Sequence, residues 1–183
     1  MSLDPEITIP RGRGMDRVGA RALGLPPWHP AALLATWFGT GLLPIAPGSW
    51  ASLAALPVAW VIASFWDGEG LGIAAVIVLF VGWWTALTVI KASGKRDPGA
   101  VVIDEVAGQW LVLVATPLDP LAYALAFLLF RIFDIWKPWP IWWADRHLNG
   151  GLGIMLDDLL AAVYATLSLL VLIAIGRVSG VRI

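Results

Sequence analysis

Cysteine is absent from the chain, which removes disulfides, thiolate metal sites and thiolate nucleophiles together. A phosphatase or hydrolase working through a cysteine is therefore excluded. Charge is scarce: 14% of the 183 residues are charged, against about 25% in an average soluble domain. The only two histidines, His29 and His147, lack the Ser-Arg and Ser-Gly-His surroundings of histidine-based lipid phosphatases. No Asp-x-Asp signature of the phospho-aspartate enzymes occurs, nor does the spaced acidic array of a CDP-alcohol phosphotransferase. A net charge of -1 argues against a general nucleic-acid binder.

What is present is apolar. Hydrophobic residues make up 59% of the chain, the composition of a membrane protein. Leu71 to Ile90 is a run of 20 uncharged residues, about 30 Å of helix and so the thickness of a bilayer core. Asp158 to Ile175 is long enough for a second span and Ala51 to Trp66, which contains Pro57, for a third. Ala31 to Gly48 is uncharged but interrupted by "GTGLLPIAPGS", whose glycines and prolines oppose a continuous helix and predict a re-entrant or broken segment. Val106 to Phe133 contains "TPLDP" at residues 116 to 120 and reads as a short hairpin. The fold expected is all-α: a small polytopic membrane helical bundle. Residues 1–30 form a basic arm, and residues 31–183 form one membrane-embedded domain.

Charge placement sets the orientation. With the hairpin in place, ten of the 12 Lys and Arg residues fall on one side: Arg11, Arg13, Arg17, Arg21, Lys91, Lys95, Arg96, Arg131, Lys137 and Arg146. Arg177 and Arg182 lie across. Positive charge marks the cytoplasmic face. Trp28, Trp136, Trp139, Trp142 and Trp143 fall near that interface, as anchors.

Three unusual stretches collect there. In "TWFGTGLLPIAPGSWAS", residues 36 to 52, Gly41 and Gly48 let backbone amides turn toward an anion while Thr36, Thr40 and Ser49 offer hydroxyls. The second stretch, residues 91 to 105, carries Lys95 and Arg96 and ends in the adjacent pair Asp104 and Glu105, set among valines. The third, "FRIFDIWKPWPIWWADRHLNGGLGIMLDD", holds Asp134 within three residues of Arg131 and Lys137. It then runs through a glycine-rich loop at Gly150, Gly151 and Gly153 to Asp157 and Asp158, which open the last span.

Each acidic group has an ordinary explanation alone: a helix first turn, an i,i+3 salt bridge or an N-terminal cap. Together, Asp104, Glu105, Asp134, Asp157 and Asp158 stand at three helix ends on one interface, where they repel unless a cation joins them. Hard oxygen donors without thiolate or clustered histidine point to Mg²⁺, which takes one or two carboxylates and substrate phosphate. Lys95, Arg96 and Lys137 are then available for the remaining phosphate charge. His147 reads as an interfacial polar residue, not a ligand.

At these residues the chain closely resembles the phosphatidylglycerophosphatase A family, through "GTGLLPIAPGSWASLAALP", "VVIDEVAG", "FRIFDIWKPWPI" and "GGLGIMLDD". The resemblance covers roughly Thr36 to Ala162. It implies a bacterial, multi-pass enzyme of the cytoplasmic (inner) membrane that uses Mg²⁺ to remove the terminal phosphate of phosphatidylglycerophosphate, leaving phosphatidylglycerol. By resemblance, the family's acidic positions fall on Asp104, Glu105, Asp134, Asp157 and Asp158, and the phosphate loop on the first stretch. The expected reaction is in-line attack of a positioned water with Asp104, Glu105, Asp134 and Asp158 as catalytic groups and Arg131 among the substrate contacts. The alternatives are a phosphatase of another membrane phosphate, such as a prenyl or different glycerolipid phosphate, and a divalent-cation carrier. Oligomeric state and acyl preference are not fixed by the sequence.

Overall fold

The computed structural model describes residues 22–148 and 150–179. Arg11, Arg13, Arg17, Arg21 and Arg182, and with them most of the predicted basic arm, lie outside the described residues. Among the described residues there is no strand. The elements are α1 (Pro30–Ala35), a 3₁₀ turn (Thr40–Leu42), α2 (Pro47–Ser93), α3 (Ile103–Val114), α4 (Pro120–Trp136), α5 (Ile141–His147) and α6 (Gly150–Ser179).

The two expected spans at 51–66 and 71–90 are the limbs of α2. Helical dihedrals fail at Trp66 (φ -133°, ψ 15°) and Asp67 (φ 54°, ψ -166°), so the break lies at the junction of the two expected spans, and most of the "DGEG" stretch at residues 67 to 70 is helical. Packing against α3 shows that the limbs fold back on each other. Gly48 abuts Glu105 and the Ala55 carbonyl accepts the Trp110 indole N–H at 3.0 Å, whereas Gly72 lies against Val114 and Gly82 against Ile103. The first limb thus runs parallel to α3 and the second antiparallel.

The 106–133 segment is a hairpin, as the prolines predicted. Asp119 caps α4, its carboxylate accepting the N–H groups of Leu121 at 2.8 Å and Ala122 at 3.0 Å. Gly108 lies against Phe130, so α4 returns antiparallel to α3 and brings Asp134 back to the start of α3. Ala51, Ala55, Ala59, Ala161, Ala162 and Ala165 supply small buried surfaces to the core around Phe130 and Trp110. Small residues let helices approach closely where lipid gives no hydrophobic drive to association.

The predicted break before α2 is present. Trp37, Phe38, Gly39 and Ala46 have positive φ, and the Val102 N–H donates to the Ala35 carbonyl at 2.8 Å, tying α1 to the loop that precedes α3. Two features differ from expectation. Helix α6 begins at Gly150, whose own φ is 78°, so residues 151 to 153 are helical and not a loop; Gly151 packs closely on Trp83 and Leu87, and tertiary packing outweighs glycine's helix penalty of about 1 kcal/mol. Asp157 and Asp158 therefore stand two turns inside α6, and an N-terminal cap does not explain them. The short helix α5, with Trp142 and Trp143 exposed, was not anticipated.

Helices α2 and α6 are each long and apolar enough to cross a membrane. Most of their apolar surface is uncovered by protein, including Ile73, Ile77, Phe80, Leu167 and Val171. The chain is a membrane protein.

Candidate active site

The first turn of α3, the last turn of α4 and the first turns of α6 meet at one cavity of ≈ 170 Å³, whose lining also includes residues of the loop 96–101 and Asp145 of α5. Asp104, Glu105, Asp134, Asp157 and Asp158 all line it. The four aspartates are at most 9% exposed.

The five carboxylates divide into two sets. Asp134 pairs with Arg131 one turn before it on α4, and Asp157 receives the Lys137 ammonium at 2.6 Å. Among the described residues, Asp104, Glu105 and Asp158 form no such ion pair; one oxygen from each lies within 4.8 Å of the others. Like charges about 4 Å apart repel by roughly 4 kcal/mol per pair at an effective dielectric of about 20. Among the described residues nothing donates to the buried Asp104 Oδ1 and Glu105 Oε2, which leaves both oxygens free to accept or to ligate. A hard divalent cation fits this all-oxygen donor set.

Lys137 ends α4 in a left-handed conformation (φ 46°), which turns its side chain back between α5 and α6. There it also donates to Asp145 at 2.7 Å. Burial works to lower its pKa, yet the hydrogen bonds to Asp145 and Asp157 hold it above the ordinary lysine value. Arg96 is the other cation on the cavity wall, its guanidinium donating to the Arg146 carbonyl at 2.9 Å. The acidic trio thus shares its cavity with two positive groups, one at the end of α4 and one on the loop before α3.

The 36–49 stretch contributes differently from expectation. The Thr36 hydroxyl donates to the Ala32 carbonyl at 2.8 Å and accepts the Gly39 N–H at 3.0 Å. Thr40 donates to the Thr36 carbonyl at 2.9 Å. These hydroxyls hold the turn together, and neither they nor Gly41, Ser49 and Lys95 line the cavity. Gly41 lies on the Ala100 backbone and Gly48 on the Glu105 carboxylate. The stretch acts through contact with the acidic segment: the first turn of α2, with the positive end of its dipole, meets a carboxylate. His147 lies outside the lining; its Nδ1 is 2.9 Å from the Trp143 carbonyl and its ring stacks on Trp143.

Sequence reading missed Asp145, which lines the cavity and shares Lys137. Its signal was weak, since it sits on a short helix inside a tryptophan-rich run. Gly99 and Leu148, also in the lining, carry no chemical signature in sequence.

A family model described as Phosphatidylglycerophosphatase A matches residues 33–173, a range that contains every acidic residue of the cavity. The chain is 42% identical over 138 residues to Phosphatidylglycerophosphatase A of Escherichia coli (strain K12), covering 75% of this chain and 78% of that relative. It is 39% identical over 140 residues to the protein of the same name in Haemophilus influenzae, covering 76% and 86%. A Bacteroides thetaiotaomicron protein with the provisional name phosphatidylinositol-3-phosphatase is 37% identical over 156 residues, covering 79% and 92%. No solved structure matches the chain.

Proposed function

Because the chain belongs to the phosphatidylglycerophosphatase A family, we propose that it is a phosphoric monoester hydrolase that converts phosphatidylglycerophosphate and water to phosphatidylglycerol and inorganic phosphate. The observation that carries the reading is the meeting of Asp104, Glu105 and Asp158 within 4.8 Å in a buried cavity with Lys137 and Arg96 on its wall.

Asp104, Glu105 and Asp158 would hold Mg²⁺, with Asp134 and Asp157 beside them. Mg²⁺ bound there would supply Lewis-acid polarisation of a phosphoryl oxygen. Lys137 and Arg96 bind the other phosphate oxygens and orient the monoester for in-line attack. Glu105 takes a proton from the attacking water as the new P–O bond forms, while the leaving glycerol oxygen, on the opposite side of phosphorus, takes a proton from solvent water as the old P–O bond breaks. Asp134 is held in place by Arg131, and Asp157 by Lys137. Thr36, Thr40, Gly41, Gly48 and Ser49 support this site by fixing the backbone against Glu105 and the 94–102 loop.

The setting proposed is a multi-pass protein of the bacterial inner membrane with this cavity on the cytoplasmic side. Lys91, Lys95, Arg96, Lys137 and Arg146 all stand at the cavity end of the bundle, and Arg177 near the end of α6, 20 residues beyond Asp157. A phosphatase of a different glycerolipid headgroup is the second reading, favoured by the relative named for a phosphatidylinositol phosphate.

The deciding experiment is phosphate release by the purified protein in detergent, with Mg²⁺ or with EDTA. Phosphatidylglycerophosphate, phosphatidylinositol 3-phosphate, phosphatidic acid and a prenyl phosphate are compared. Selective Mg²⁺-dependent release from the first is expected. Preference for another lipid replaces the substrate but keeps the chemistry, and release from none returns the carboxylates to a cation carrier.

A further inference from the structure

We propose that the open groove between α4 and α6 takes an acyl chain of the same lipid whose headgroup phosphate enters the acidic cavity. The inference rests on the phosphatase reading above. The groove, of ≈ 430 Å³, is lined by Leu129 of α4 and by Leu167, Ser168, Val171 and Leu172 of α6.

Helical geometry connects it to the cavity. At 100° per residue, Gly153, Asp157, Tyr164, Ser168 and Val171 fall within about 60° of one another around α6. Gly153 and Asp157 line the cavity, and Ser168 and Val171 line the groove. One stripe of α6 therefore runs from the carboxylates for 14 residues, about 21 Å, down the bundle. On α4, Leu129 and Phe133 are one turn apart and lead up to Lys137. Between cavity and groove on these two faces lies the Phe133–Tyr164 pair, with ring centroids 5.4 Å apart. The Tyr164 hydroxyl donates to the Trp139 carbonyl at 3.0 Å, which puts the change from polar to apolar lining at that pair.

That continuity separates this groove from ordinary lipid-facing surface. A second apolar groove, formed by Leu56, Pro57, Trp60, Pro120 and Tyr123, lies beside the 116–120 turn at the far end of α3 from the carboxylates, and no residue of α6 lines it. Leu167 and Val171 are 59% and 57% exposed although they flank the α4–α6 seam. Small-chain packing along that seam leaves a channel with room for a single hydrocarbon chain beside it.

The test is photolabelling of the full-length protein in detergent. The probe is phosphatidylglycerophosphate carrying a mid-chain diazirine. Labelling concentrated at Leu129 and at residues 167–172, displaced by unlabelled phosphatidylglycerophosphate but not by phosphatidylcholine, is expected. Label spread over other lipid-facing residues such as Ile73 and Ile77, or not displaced, overturns the proposal.

Kinetics give an independent reading. Ser168→Trp and Leu129→Trp, which fill the groove from opposite walls, should each lower the ratio of kcat/KM for long-chain over short-chain substrate at least fivefold. Ile77→Trp, on the lipid-facing surface of α2, should leave that ratio unchanged. An unaltered ratio in the two groove variants overturns the inference, and Val171→Phe provides the same reading if either is not recovered in the membrane. Displaceable labelling without phosphate release would remove the phosphatase reading alone.

Discussion

The Glu105 carboxylate occupies the space into which a side chain at Gly48 would project. Two segments separated by more than 50 residues meet there, and the contact is with the movable end of a glutamate. Gly48→Ala should therefore displace the carboxylate without unfolding the bundle. We expect activity to fall at least about 10-fold, since small misplacements in a site are costly. Stability should stay within about 1 kcal/mol, because alanine is the better helix former. Phosphate release and thermal unfolding of the same preparation check this; normal turnover would show that Glu105 has no fixed task.

Asp158 and Asp104 repel each other and Glu105 unless a cation lies among them. Asp158→Asn or Asp104→Asn should lower turnover at least about 100-fold, the scale seen when one electrostatic contact to a transition state is removed. The same substitution should raise the unfolding midpoint in EDTA and flatten its rise with added Mg²⁺. A Mg²⁺ titration followed by calorimetry reads both effects, and an unchanged titration would dissolve the shared cation site.

Lys137 bridges Asp145 and Asp157 at 2.7 and 2.6 Å. Lys137→Met should lower kcat/KM about 10-fold or more, chiefly through KM, because a phosphate loses its point charge and Asp157 its partner. Asp145 is more exposed, and an exposed pair contributes only about 0.2–1 kcal/mol. Asp145→Asn should accordingly change kcat/KM by less than about threefold. Steady-state kinetics on both variants distinguish these outcomes.

A methyl group at Gly108 would lie 2.7 Å from the Phe130 ring and 3.1 Å from the Asp158 carbonyl. Gly108→Ala should destabilise by about 1–3 kcal/mol through overpacking and reduce activity by moving α6 relative to α3. Phe130→Leu should restore part of the loss in the double variant. Additive effects in that cycle, measured by unfolding in detergent, would show that the two residues are not coupled.

His147 belongs to the rim and not to the chemistry: its ring stacks on Trp143. His147→Ala should alter kcat/KM by less than about twofold. A loss of 100-fold would reinstate it as a participant.

The hairpin at 116–120 was legible because two prolines and a capping aspartate are local signals whose effect does not depend on the rest of the chain. Spans were legible for a related reason: a run of uncharged residues has the same meaning in any bilayer protein. The start of α6 was not, because glycines at 150, 151 and 153 favour a loop by propensity, whereas Gly151 and Gly153 lie in the helix in contact with α2 and with Leu148. Nor was the task of the threonines, since a hydroxyl that holds a turn and one that holds a phosphate look alike in sequence.

The sequence by itself determined the class of protein and the donor chemistry: an apolar, cysteine-free chain with five carboxylates in three segments that also carry basic residues or glycines. Composition and short-range spacing are properties of the chain, and they survive without coordinates. Only the tertiary structure decided how those five groups divide, with Asp134 and Asp157 held by Arg131 and Lys137 while Asp104, Glu105 and Asp158 face one another. That division depends on the crossing of α3, α4 and α6 and on the close approach at Gly48 and Gly108. Distances between side chains on separate helices are set by packing of the whole bundle, and no local pattern encodes them.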